Sequence, residues 1–321
     1  VIPPAYGSLA DRDARFRAAG KSAGADFLTF GKSVEGRPLE AALAPTSTTA
    51  AWEPVKVNRA PLVFVNGNIH GIEWIAAEAA IGVLAAWNTD AWADVRARAD
   101  LVVAPCLNPD GAARTERQGG VGTIKELRTN AHGVDLNRNF PMPHGAKPFF
   151  LTATGSSDPA RATFRGTAPF SEPEAKGVDS LVEMFKPRLT ISFHSFMGTV
   201  IPPKVTTSPH ARTYRALGRA WRRGQTHFIH WTLMSTLVDV FTGELEDRVH
   251  HVHDGWALTV ELWPVWRSFA AHVVAPSLFA RFNPSDPAIV VADAVAGAKA
   301  AILFALDLPR PSELTGVTRS G

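Results

Sequence analysis

His70 and Glu73 stand three residues apart in His70-Gly71-Ile72-Glu73, directly after the apolar run Pro61-Leu62-Val63-Phe64-Val65. An imidazole and a carboxylate at that spacing, where a strand gives way to a helix, can meet one Zn2+ from the same side. A catalytic zinc needs one further protein ligand and keeps its fourth position open for water. His194 offers itself as that ligand, because it ends another strand-like run, Leu189-Thr190-Ile191-Ser192-Phe193-His194. Alone, the His-x-x-Glu pattern is a weak signal, since a helix start often carries a glutamate that complements its dipole.

The elements that must position these residues can be read from periodicity. Short apolar or β-branched runs predict strands at Asp26 to Gly31, Leu39 to Ala44, Leu62 to Val65, Leu101 to Cys106, Leu189 to His194 and Ala257 to Leu262. Helices are expected between them. One covers Ile75 to Trp87, and another covers Glu172 to Phe185, opened by Ser171 with Pro173 in the first turn and Glu174 three residues on. A long apolar helix follows Asp286-Pro287 and reaches about Leu306. The alternation predicts an α/β fold, a single domain with a mixed, mostly parallel central sheet flanked by helices. The Glu35-Gly36-Arg37 turn adds an antiparallel hairpin at one edge. In open sheets of this kind ligands gather at the carboxyl ends of strands. His70, Asn108, His194 and Glu261 each follow or close a predicted strand, so they are expected to converge on one crevice.

Composition sets the bounds. The 321 residues are 45% hydrophobic and 20% charged, enough to bury roughly three quarters of the unfolded surface. The domain is expected over residues 1–308, with a loose polar tail at 309–321. A net charge of +3 and a pI near 9.2 are mild. The strongest basic cluster, Arg212, Arg215, Arg219, Arg222 and Arg223, falls at helical spacing and reads as a solvated face, not a nucleic-acid footprint. The single cysteine, Cys106, lies in an apolar run and reads as a structural thiol. No run of 18 uninterrupted apolar residues is present, and no membrane span is expected. The chain opens on Val1 and not on Met, for which removal of a bacterial export signal is one explanation. A secreted or periplasmic location and a monomer are the expectations.

Six motifs then occur in one order: His70-Gly-Ile-Glu-Trp-Ile, Leu107-Asn-Pro-Asp-Gly, Leu127-Arg-Thr-Asn, Gly133-Val-Asp-Leu-Asn-Arg-Asn-Phe-Pro, Ser192-Phe-His-Ser-Phe and Leu258-Thr-Val-Glu-Leu-Trp. Their order and approximate spacing resemble the zinc carboxypeptidases, a bacterial-type member being indicated, and the similarity runs from about Gly31 to Leu306. The resemblance implies one Zn2+ per chain held by His70, Glu73 and His194. It implies Glu261 as the general base beside the attacking water. Arg128 would stabilise the oxyanion. Asn137 and Arg138 would bind the free C-terminal carboxylate of a peptide substrate. Asp135 would orient the first histidine through its other ring nitrogen. A cis bond at Ser195-Phe196 is also implied.

The match weakens in places. Counting back from Glu261 to where many members carry a substrate-capping tyrosine reaches Asp239, and the only tyrosines are Tyr6 and Tyr214. Glu246 falls where members set side-chain preference, and a carboxylate there would favour a basic terminal residue. Ile72 replaces a residue that is often arginine. Trp263 and Trp266 are candidate pocket walls. His250, His251 and His253 read as a surface loop titrating near neutral pH in preference to a second metal site.

The activity expected is removal of a C-terminal amino acid from peptides by metal-assisted attack of water. A cell-wall peptide amidase or an acyl-amino-acid deacylase would use the same zinc site on another bond. The deacylases typically add a C-terminal β domain, and the segment after Glu261 is short and mostly helical. A non-catalytic carboxylate-binding module would be expected to lose the metal ligands or the base before Asn137 and Arg138. A mononuclear iron site would suit the same ligands but not an added glutamate and arginine.

Overall fold

A computed structural model describes residues 1–46, 60–144, 146, 154–232, 241–264, 270 and 273–315. Eight strands form one sheet in the order β1-β2-β4-β3-β5-β8-β6-β7. They are β1 (Asp26–Lys32), β2 (Pro38–Ala44), β3 (Leu62–Asn66), β4 (Asp100–Ala104), β5 (Leu189–Phe196), β6 (Thr199–Ile201), β7 (Trp231–Thr232) and β8 (Trp256–Pro264). The inner strands β4, β3, β5 and β8 run parallel. Because helices cover both faces, every residue of β3 and β4 is buried, which is why they read as continuous apolar runs without alternation. The hairpin β1–β2 pairs antiparallel at the edge, as its turn predicts, with Gly36 at φ +82. The expected α/β single domain is thus present, while the short β6 and β7 were not legible in the sequence.

The helices that matter for the site are α1 (Leu9–Ser22), α2 (Trp74–Ala86), α3 (Pro109–Arg117), α4 (Ile124–Arg128), α5 (Pro173–Phe185), α6 (Ser208–Gly224), α7 (Leu245–His251) and α8 (Ala288–Leu306). Helix α2 is apolar on nearly every face and lies in the main core with Val63, Val65, Ile191 and Leu258. Helix α8 is long and apolar enough to cross a membrane by length and composition, a feature that counting uninterrupted apolar residues overlooked. It packs instead against α6 and α2 as a core helix, with Gly297 placed where a Cβ would strike the Trp221 ring. Its Asp293 is buried and accepts from the backbone N–H groups of Thr226, His227 and Phe228. The arginines of α6 are exposed, as a solvated face requires.

Three local expectations are corrected. Ser171 does not cap α5; Glu172 is the N-cap residue, and Glu174 is drawn off to the N–H of Val34 and the amide of Asn130. No cis peptide bond is found among the described residues, and the chain leaves His194 through a shift in the β5–β8 pairing between His194 and Phe196. The tail is docked as far as it is described: Trp256 donates to the Pro309 carbonyl, Ser312 bonds Asp254, and Pro311–Thr315 forms a helical turn. Residues 316–321 lie outside the described residues.

Candidate metal centre and active site

His70 and Glu73 lie in the turn between β3 and α2, and His194 lies near the end of β5. The parallel pairing of β3 with β5 brings the two carboxyl ends together. One Glu73 oxygen lies 2.9 Å from His70 Nδ1, and the other lies 3.2 Å from His194 Nδ1. All three side chains are buried, and one ligand atom from each lies within 4.8 Å of the others. Burial opposes charge on Glu73, yet the two imidazoles hold its carboxyl well below the ordinary range. The group therefore offers two imidazole nitrogens and an ionised carboxylate, the donor set a catalytic zinc takes from a protein. His194 Nε2 is buried with no partner among the described residues.

Asp135 organises the surroundings. Its Oδ1 lies 3.2 Å from His70 Nε2 and its Oδ2 accepts from Arg128 Nε at 2.9 Å. Oδ1 also accepts from the N–H of Asn137 at 3.1 Å, capping the short turn Leu136–Arg138. With Asp135 on Nε2, the His70 nitrogen left to face a metal is Nδ1, which lies beside the Glu73 carboxylate. Burial would raise the Asp135 carboxyl, but Arg128 and His70 hold it well below its ordinary value.

Arg128 ends α4, which starts with a capping box of Thr123 and Glu126. The Arg128 carbonyl accepts from the Gly71 N–H at 3.1 Å, so this helix end is sewn to the His70 turn. Asn108, expected in the crevice, instead braces it from behind. It caps α3 through the Gly111 N–H and donates to the Ile69 and Arg128 carbonyls.

Glu261 is the Cα partner of His194 across β5 and β8. Its side chain is half-buried, accepts from the Met197 N–H at 3.3 Å, and is pushed up by burial and by the nearby Glu73 carboxylate. Asn137 is buried, and its Oδ1 accepts from the Leu245 N–H, tying the start of α7 to the site. Arg138 donates to the Asn137 carbonyl at 2.7 Å and lies 3.4 Å from Glu244. Glu244 was not foreseen, although an acid directly after Gly243 and two residues before a candidate specificity position is a signal that could have marked it. Glu246 is buried, and neither of its carboxylate oxygens has a partner among the described residues.

Other expectations fall outside this crevice. Ile72 is fully buried in a cluster with Trp74, Leu127, Phe279 and Phe282. Tyr6 and Tyr214 are core residues. Trp263 packs on the main core beside Phe228, while Trp266 and Asp239 lie outside the described residues. The three clustered histidines form no surface loop. His250 is buried against Tyr214 and His210, His251 meets the Lys204 carbonyl, and His253 is held between Asp179 and Glu183. Cys106 is partly buried and donates weakly to Asn68, and burial pushes its thiol up.

A sequence model described as zinc carboxypeptidase matches residues 18–259. The chain belongs to the zinc carboxypeptidase family. Zinc carboxypeptidase A 1 of Anopheles gambiae is 32% identical over 165 residues, 49% of this chain and 36% of that protein. Murein peptide amidase A of Escherichia coli (strain K12) is 34% identical over 101 residues, 31% of this chain and 37% of that one. The matched segments thus span well under half the length of these relatives. Among solved structures, carboxypeptidase A from Helicoverpa armigera shares the zinc carboxypeptidase fold, with a TM-score of 0.72 over 93% of this chain and 73% of that chain at 22% identity. Bovine thrombin-activatable fibrinolysis inhibitor superposes with the same TM-score over 94% of this chain and 97% of that chain at 18% identity.

Proposed function

We propose that this chain is a zinc-dependent carboxypeptidase that releases the C-terminal residue of a peptide, with one Zn2+ held by His70, Glu73 and His194. The observation that carries the reading is the placement of Glu261 as the register partner of His194, at the mouth of a buried donor group. When bound, zinc supplies Lewis acidity and makes water a nucleophile at neutral pH. Glu261, raised by burial and by Glu73, accepts the proton of the attacking water and passes it to the leaving amine. Arg128, fixed by Asp135, meets the charge that develops on the scissile carbonyl oxygen. Arg138, placed by the capped turn after Asp135, takes the substrate's terminal carboxylate, with Asn137 shaping the same wall.

Glu246 sets the preference in this reading. A buried carboxylate with no partner among the described residues is costly to keep ionised, and a substrate ammonium or guanidinium would supply a balancing charge. A terminal lysine or arginine fits. A second reading is cell-wall peptide hydrolysis, favoured by the 34% identity to the murein peptide amidase, and a cell-wall amino acid with a side-chain amine would meet the same carboxylate. A location outside the cytoplasm goes with either reading, and cell fractionation tests it. Blocked dipeptides differing only in the last residue, assayed beside muropeptides, separate the two. Release of terminal lysine or arginine is expected; cleavage of muropeptides alone would reject the carboxypeptidase reading.

A further inference from the structure

Arg12 lies on the first turn of α1, on the far side of the His70 turn from the crevice, and only 7% of it is exposed. Burying a guanidinium is costly unless its contacts compensate. The Glu78 carboxylate and Cys106 lie within its electrostatic reach, and two further contacts bear on the metal half-site. Nη1 donates to Asn68 Oδ1 at 2.9 Å, and Asn68 Nδ2 donates to the His70 carbonyl at 2.7 Å. The guanidinium also lies 5.2 Å above the ring of Trp74, the residue after Glu73. Arg12 therefore contacts the side chains of Asn68 and Trp74, one on each flank of His70-Gly71-Ile72-Glu73, and reaches the His70 backbone through Asn68.

Asn68 is built for this linkage. It is fully buried with φ +51, a conformation a non-glycine residue keeps only where its surroundings enforce it. Its carbonyl accepts from the Asn108 N–H, and its Oδ1 also receives Cys106 Sγ. Both polar groups of its side chain are engaged, Nδ2 on the His70 turn and Oδ1 on Arg12 and Cys106. The capping box of Ser8 and Asp11 fixes the start of α1, and with it the height of Arg12. Arg12 also lines a cavity of about 340 Å3 that none of the metal-centre residues lines. Close packing on all sides is thus not what holds the guanidinium.

We propose that Arg12 and Asn68 are positioning residues for the metal centre, setting the distance and angle between His70 and Glu73 from behind the site. The proposal rests on those residues being metal ligands. It assigns zinc affinity to a helix outside the crevice.

The test uses the whole chain and zinc alone, with the dissociation constant measured by competition with a chromophoric chelator. Arg12→Met removes the donor and the charge at similar length, and Asn68→Gly leaves the positive φ accessible while deleting the side-chain bonds. Each is expected to weaken zinc binding about tenfold or more, the scale seen when groups that orient metal ligands are lost. Each should also alter the visible spectrum of the cobalt-substituted protein. Arg12→Lys, which retains the charge over Trp74, should recover part of the affinity. Asp293→Asn, which loosens the fold far from the metal, should lower Tm without changing zinc affinity.

Zinc affinities and cobalt spectra indistinguishable from the parent's in Arg12→Met and Asn68→Gly would overturn the proposal. So would an equal loss of affinity in Asp293→Asn, because general destabilisation would then account for it. A parent protein that binds no zinc would overturn the metal-centre reading and this inference together, a result distinct from either of the others.

Discussion

His194 and Glu261 are register partners on the adjacent parallel strands β5 and β8. Side chains at paired positions project to the same face of a sheet, so a buried imidazole and a half-buried carboxylate stand together although far apart in the chain. A glutamate so placed can serve as a base without becoming a ligand.

Glu261→Gln tests that division of labour. The amide keeps the shape of the side chain but cannot accept the proton. Metal content should match the parent's, while kcat falls by roughly 10^2 to 10^4. Chelation of the parent should abolish turnover, with recovery on added zinc. Parental activity in the glutamine variant would remove Glu261 from the mechanism.

Arg138→Ala separates recognition of the terminal carboxylate from chemistry. Loss of a charge-assisted contact of about 1.5–3 kcal/mol should raise KM for free-carboxylate peptides by roughly 10- to 100-fold. C-terminally amidated analogues should change little. Paired kinetics on the two substrate series check this, and equal effects on both would refute the assignment.

Glu246→Gln should reduce kcat/KM for peptides ending in lysine or arginine by about tenfold or more, since a desolvated charge pair is lost at a cost of about 2 kcal/mol or more. Peptides ending in leucine or phenylalanine should be cleaved as well as before, or better. An unchanged ratio of basic to apolar substrates would move the preference elsewhere.

His230 gives a pH-dependent stability that does not involve the metal. Its ring is buried, stacked on Trp221 and bonded to the Leu262 carbonyl, and burial pushes its pKa down to about 4. The unfolded chain takes up the proton near the ordinary histidine value of about 6.5 while the folded one does not. Stability should therefore fall as pH drops from about 6.5 to about 4, by up to about 3 kcal/mol, and be constant in this respect above that window. Urea unfolding of the parent and His230→Gln across this range checks the sign: the pH slope should be shallower in the variant.

Gly67→Ala should damage the half-site through sterics alone. An added Cβ would lie 2.7 Å from the Ala76 carbonyl carbon, on the backbone of α2 where nothing can yield. A loss of about 1–3 kcal/mol in denaturant unfolding is expected. Zinc affinity should fall with it, because α2 begins one residue after Glu73. Unchanged stability would show that the helix can move freely relative to β3.

What the sequence determined was whatever depends on neighbours along the chain. His70 and Glu73 are three residues apart, so their joint placement follows from one turn, and the inner strands are legible because burial on both faces leaves only apolar residues. The Gly36 hairpin and the arginine face of α6 are local in the same sense. Resemblance of ordered motifs carried Glu261, Arg128, Asn137, Arg138 and Glu246 further than spacing could. Tertiary structure decided the rest, since it depends on which strands pair and in what register. Only the β3–β5 and β5–β8 pairings bring His194 to Glu73 and Glu261 to His194. Competition for hydrogen bonds turned Glu174 away from a helix cap and toward Val34 and Asn130. Packing drew His250 and His253 into the interior and docked the segment after Pro309. Arg12 carries no mark in the sequence at all, because its significance comes from a helix laid against the back of a turn far downstream of it.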